Sequence, residues 1–140
     1  MKNCPICSKR LKHKTSPTVY NYKNESITIN QPGCYCDNCD EEYLSPSDLK
    51  STKKEIADFK RRVDHLLTTD ELKSIRKKLK LTQEQAAELF GGGVRAFHKY
   101  ETAEATQSKP LDILLRLVAS KKISLDDVKS ICVATNKIQH

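Results

Sequence analysis

The chain has 140 residues and a formal net charge of +7, with an isoelectric point near 9.1, a surplus that favours nucleic acid over a membrane as partner. A hydrophobic fraction of 37% beside 31% charged residues, with no Trp, suits two small cores better than one large one and excludes a wholly disordered chain. No stretch approaches the ~20 apolar residues that cross a bilayer, and the start Met1-Lys2-Asn3-Cys4-Pro5 lacks the apolar run of a secretory leader, so a cytoplasmic location is expected.

From Met1 to about Pro46 lie five of the six cysteines, little helical periodicity and two short segments of strand character. Thr18–Tyr22 and Ser26–Ile29 alternate apolar with polar residues around Lys23-Asn24-Glu25, which predicts a β-hairpin. The candidate core of Ile6, Leu11, Val19, Tyr20, Ile27, Ile29 and Leu44 is too small to offset the entropy of ordering the segment. Something besides apolar burial must hold it.

Cys4-Pro5-Ile6-Cys7 and Cys36-Asp37-Asn38-Cys39 supply that something. In a reducing compartment such pairs point to metal rather than disulfides. Each C-x-x-C turn sets two sulfurs on one side, and two turns furnish the four soft ligands of a tetrahedral zinc ion. Four thiolates leave no open position, so one structural Zn2+ on Cys4, Cys7, Cys36 and Cys39 is expected, not a catalytic one. Cys34, in the run Cys34-Tyr35-Cys36, is an alternative ligand; Cys36 is preferred because it makes the x-x spacing with Cys39. Cys34 is then a spare thiol, and Cys132 a small core residue.

After Ser45-Pro46-Ser47, residues 47–67 are highly charged, with Leu49, Ile56, Phe59, Val63 and Leu66 at helical spacing. The pattern predicts an amphipathic linker helix between a zinc-binding domain over 1–46 and a helical domain over 68–140. Lys60-Arg61-Arg62 reads as a solvated face of that helix.

Beyond it the punctuation is helical. Thr68 with Glu71 and Thr82 with Gln85 have capping-box spacing, the first followed by the stripe Leu72, Ile75 and Leu79. Ala86, Ala87, Leu89 and Phe90 are expected to face inward before Gly91-Gly92-Gly93 ends the helix. Val94–Glu101 predicts a short helix with Val94 and Phe97 buried. Pro110 opens another helix carrying Leu111, Ile113, Leu114, Leu117 and Val118, and Ser124 caps the last, with Leu125, Val128 and Ile131. The segment from Thr82 to Glu101 has the form of a helix-turn-helix. Arg95 and Lys99, four apart, stand side by side on the outward face, suited to base edges in the major groove. Thr82 and Gln83 suit a phosphate contact, His98 has either a phosphate contact or no role, and Arg76-Lys77-Lys78-Leu79-Lys80 adds non-specific attraction.

Leu79-Lys80-Leu81-Thr82-Gln83, Phe90-Gly91-Gly92-Gly93-Val94, Ala96-Phe97, Tyr100-Glu101 and the paired C-x-x-C turns together resemble the MqsA antitoxins, which join a zinc-finger N-terminal domain to an Xre-type C-terminal domain. The resemblance implies an α+β protein: a small zinc ribbon with a β-hairpin, then an all-α, five-helix, lambda-repressor-like domain. It further implies a homodimer that binds double-stranded operator DNA and represses its own operon, while the zinc domain neutralises a toxin protein. The family's base-reading positions fall on Arg95 and Lys99, where better-known members carry Asn and Arg. A stand-alone zinc-ribbon regulator without a toxin is the alternative. No enzyme is expected: no open metal site, phosphate loop or nucleophile–base pair is present, and His13, His65, His98 and His140 are scattered.

Overall fold

The computed structural model describes residues 3–138, with side chains through 132, so His140 lies outside the described residues. The chain divides into two compact units, Met1–Val63 and Asp64–His140.

The first unit is built on a hairpin. Strands β1 (Lys12–Tyr22) and β2 (Glu25–Tyr35) pair antiparallel from Tyr22↔Glu25 back to Lys12↔Tyr35, and the short β3 (Glu42–Tyr43) adds to β2, giving the order β1-β2-β3. The turn is two residues, not three: Lys23 and Asn24 take φ of 49° and 67°, the left-handed pair whose twist matches that of the flanking strands. Both strands outrun the alternating segments. Backbone pairing carries them through the polar Lys12–Ser16, and Pro17 is tolerated because β1 is the edge strand.

Ile29, Gln31 and Gly33 are buried at every second position of β2. Gly33 is closely covered: a Cβ there would lie 2.5 Å from Leu44 Cδ2, so the Leu44 side chain would have to move aside. Two expected core residues are outside. Val19 occupies the opposite pleat of β1 from half-buried Thr18 and Tyr20, and Ile6, 68% exposed, sits in the C-x-x-C turn.

Helix α1 (Pro46–Val63) starts on a reciprocal cap. The Asp48 N–H donates to Ser45 Oγ at 3.2 Å, and the Ser45 N–H to Asp48 Oδ2 at 3.0 Å, with Pro46 in the first turn. The expected linker helix over 47–67 thus ends at Val63 and packs along β2 within the first unit. Its buried face is unusually polar: Gln31 Nε2 donates to the Asp48 carbonyl at 3.0 Å, and Thr52 Oγ1 donates to Gln31 Oε1 at 2.9 Å. Phe59 meets the Tyr20 ring edge-on at 6.4 Å. The basic cluster is not a uniformly solvated face. Arg61 is 1% exposed and paired with Asp58 at 3.6 Å, Lys60 lies 5.6 Å over the rings of both Tyr20 and Tyr22, and Arg62 alone of the three is exposed.

The second unit comprises α2 (Thr69–Lys78), α3 (Gln83–Phe90), α4 (Ala96–Glu101), α5 (Lys109–Ala119) and α6 (Leu125–Ile138). Both capping boxes form, at Thr68/Glu71 and Thr82/Gln85, and Ser124 exchanges the same pair of bonds with Asp127. The core joins Leu67, Leu72, Ala86, Ala87, Ala96, Phe97, Leu111 and Leu115. On α5 the inward positions are Leu111, Asp112, Leu115 and Val118, while Ile113 is exposed. The buried Asp112 earns its place through bonds: it accepts from the Leu67 N–H at 2.8 Å, Gln107 Nε2 at 3.1 Å and Arg116 Nε at 2.8 Å. This stitches the chain entering α2 to α5.

Candidate metal centre and nucleic-acid interface

The two C-x-x-C turns are built alike. In the first, the Cys4 N–H donates to the Lys9 carbonyl at 2.7 Å and the Ser8 N–H to the Cys4 carbonyl at 2.8 Å; in the second, Cys36 to Glu41 at 3.0 Å and Asp40 to Cys36 at 2.9 Å. Ser8 and Asp40, at matching places, both take positive φ, 62° and 55°. The hairpin returns the second turn to the first, and the sulfurs of Cys4, Cys7, Cys36 and Cys39 all lie within 4.8 Å of one another, with Cys7 and Cys36 at 3.5 Å. A tetrahedral ion with metal–sulfur bonds of about 2.3 Å sets its ligands about 3.8 Å apart, so the four cysteines can hold a metal ion with little movement.

Electrostatics point the same way. Backbone N–H donation, first from Cys7, brings the Cys4 thiol down to about 6 against the opposing effect of burial. The Cys7 sulfur and burial push Cys39 up to about 12. Four thiolates so close repel one another, and a divalent cation is what lets all four ionise together. Cys4 and Cys36 are buried, and Tyr43 places its hydroxyl 3.7 Å from the Cys4 sulfur. Cys34 packs against this group and stands outside the four-sulfur set. Cys132, on α6, lies 3.8 Å from the Leu89 carbonyl.

In the second unit α3 and α4 flank a turn. Gly91, Gly92 and Gly93 have φ of 89°, 98° and 95°, a run that side chains rarely adopt. Gly92 is also constrained by space, since a Cβ would lie 3.0 Å from both Ala96 Cβ and Tyr100 Oη. The Ala96 N–H donates to the Gly93 carbonyl at 3.1 Å, closing a turn with Val94 and Arg95 at its corner. So α4 begins at Ala96 rather than Val94, and Val94, expected to be buried, is 73% exposed. Phe97 is 1% exposed, its ring 6.1 Å from Phe90 and 5.6 Å from Tyr100.

Arg95 and Lys99 are exposed and one turn apart, the Lys99 N–H donating to the Arg95 carbonyl at 3.0 Å. His98 is half-buried. Thr82 is exposed at the cap of α3. Gln83 is half-buried and donates from Nε2 to Glu101 Oε1 at 3.3 Å. Of the basic flank, Lys77, Lys78 and Lys80 are exposed, whereas Arg76 is turned inward onto Glu101 and the Leu81 carbonyl.

A model of the antitoxin component of bacterial toxin-antitoxin systems, MqsA, matches residues 1–129. The chain belongs to the MqsA antitoxin family. It is similar to the antitoxin MqsA of Escherichia coli (strain K12), 27% identical over 129 residues that cover 90% of this chain and 98% of that protein. Membership of the MqsA family gives the chain an antitoxin role in a toxin-antitoxin system and implies a toxin partner. Among the described residues no helix is long and apolar enough to cross a membrane.

Sequence reasoning missed what supports both sites in this MqsA-family chain. Glu101 entered only as part of the family-like pair Tyr100-Glu101, with no sign of its ion pair, and its partner Arg76 hid in a basic run. Asp112 could have been suspected as a lone acid among the apolar residues of α5. Tyr43 had no readable pattern.

Proposed function

We propose that this antitoxin is a dual binder. The first unit, held by one structural zinc ion on Cys4, Cys7, Cys36 and Cys39, neutralises the toxin. The second binds operator DNA as a homodimer and represses the operon that encodes it. In this reading the metal is structural rather than catalytic, because four thiolates would close its coordination sphere, and no catalysis is part of the chain's role.

The observation that carries the DNA reading is the exposed pair Arg95 and Lys99, presented beyond buried Phe97 at the start of the second helix of a helix-turn-helix. Arg95 donates two bonds to guanine O6 and N7, Lys99 reaches the same edge or a phosphate, and Thr82, Gln83 and His98 line the approach to the phosphate backbone. Exposed Lys77, Lys78 and Lys80 add the salt-sensitive attraction. Two copies reading half-sites ~34–36 Å apart need a self-complementary contact, for which the exposed Ile113 of α5 supplies apolar surface.

The test has two arms. Full-length metal-loaded protein is titrated onto duplex DNA from immediately upstream of its own gene, and the chain is co-expressed with the product of the adjacent gene. Sequence-specific binding with a steep salt dependence and co-purification of an otherwise growth-inhibiting neighbour are expected. Binding to unrelated duplexes with equal affinity sinks the repressor reading, and a neighbour that neither co-purifies nor inhibits growth sinks the neutralisation reading.

A further inference from the structure

Val94 is more exposed, at 73%, than any other large apolar side chain among the described residues. A single surface valine is ordinary; its place is not. It occupies the corner of the turn closed by Ala96 and Gly93, immediately before Arg95. The inward positions of this segment are taken by Ala96 and Phe97, both buried, with Tyr100 packed against the same core. What remains outward is Val94 at the turn corner, Arg95 and Lys99 one turn apart, and the half-exposed His98. The outward group is thus three nitrogen-bearing side chains and one hydrocarbon.

Resting on the reading of this face as a groove-facing one, we propose that Val94 is a specificity-determining residue that contacts the C5-methyl group of a thymine beside the base read by Arg95. The chemistry selects that target. On the major-groove edges of the four base pairs the thymine methyl is the one apolar group larger than a hydrogen atom, the rest being hydrogen-bond donors and acceptors and the small cytosine C5–H. An isopropyl group next to a donor fork therefore discriminates T from the other bases by burying a methyl, while Arg95 discriminates by hydrogen bonds. Val94 also contributes nothing to the domain core, so its removal leaves the fold in place.

The experiment uses the full-length metal-loaded protein and a duplex from upstream of its gene, trimmed to the protected footprint, with each thymine replaced in turn by uracil. Uracil removes only the methyl group. Burial of one such group corresponds to about a fourfold change in affinity. One thymine per half-site is expected to show that loss with the wild-type chain and none with Val94→Ala, while Val94→Ile, which keeps the branched apolar contact, restores the sensitivity. Specific binding with no uracil-sensitive position, or the same sensitivity in Val94→Ala, overturns the assignment of Val94 and leaves the DNA reading standing. Absence of any sequence-specific binding by the wild type overturns both.

Discussion

The guanidinium of Arg76 holds both carboxylate oxygens of Glu101, Nε to Oε2 at 2.8 Å and Nη2 to Oε1 at 2.9 Å, across 25 positions of sequence. The side chains are 11% and 4% exposed, so this is a desolvated pair that fastens α2 to the end of α4, with Arg76 Nη1 also donating to the Leu81 carbonyl. Removing one partner strands the other's charge. Glu101→Ala is expected to cost about 3 kcal/mol and to lower the melting temperature of the second unit by roughly 12–24 °C. A loss below about 1 kcal/mol in denaturant titration would show that the pair is not what holds the two elements together.

For the metal centre, the geometry separates Cys36 from its neighbour Cys34. Cys36→Ser is expected to abolish metal retention and unfold the hairpin's open end, whereas Cys34→Ser keeps a full equivalent of metal. Metal quantification on both purified variants decides it; the reverse outcome would exchange their roles. Chelation of the wild type should remove stabilisation on the order of 10 kcal/mol from the first unit.

For the DNA face, Arg95→Ala with Lys99→Ala is expected to lower specific affinity by about 10- to 100-fold while thermal stability barely moves, because both side chains are exposed. Competition binding against scrambled duplexes measures the first quantity and calorimetry the second. An operator preference that survives the double substitution would place base reading elsewhere.

The last helix offers a pH dependence. The Asp127 carboxylate accepts the Ser124 N–H at 2.9 Å, and that bond, followed by the Ser124 hydroxyl, holds its pKa below the ordinary value of 3.8. A depressed folded value means that the ionised cap stabilises fully above about pH 4, the unfolded carboxylate's range, and ceases to do so as pH falls through the lower folded value. The gap in melting temperature between wild type and Asp127→Ala should therefore be constant near neutrality and narrow below about pH 4. A gap independent of pH down to 3 would mean that charge plays no part in the cap.

The parts legible in the sequence were those governed by local rules. Capping boxes at Thr68 and Thr82 depend on residues three apart, the C-x-x-C turns on the same short spacing, and helical stripes on neighbouring turns; all of these elements appear in the fold. Long-range pairing was not legible. Lys12–Ser16 became strand because β2 lies alongside, and Arg61 is buried on an α1 that packs along β2, a contact between elements distant in sequence. Val94 was misplaced for a different reason: helical periodicity was extended two residues too far into a segment where the glycine run and the Gly93–Ala96 bond set the backbone instead.

The four sulfurs sit at one extremity of the hairpin, and its reversal at Lys23-Asn24 is at the other. An ion held there would act as the slider of a zip fastener whose far stop is sewn shut. Withdrawing it frees the strands from Lys12 and Tyr35 inward, with the reversal last to part, so trypsin should find Lys9, Arg10 and Lys12 in the stripped protein well before Lys23. A cell short of the metal would then hold a chain with a shortened lifetime, with its second unit still folded.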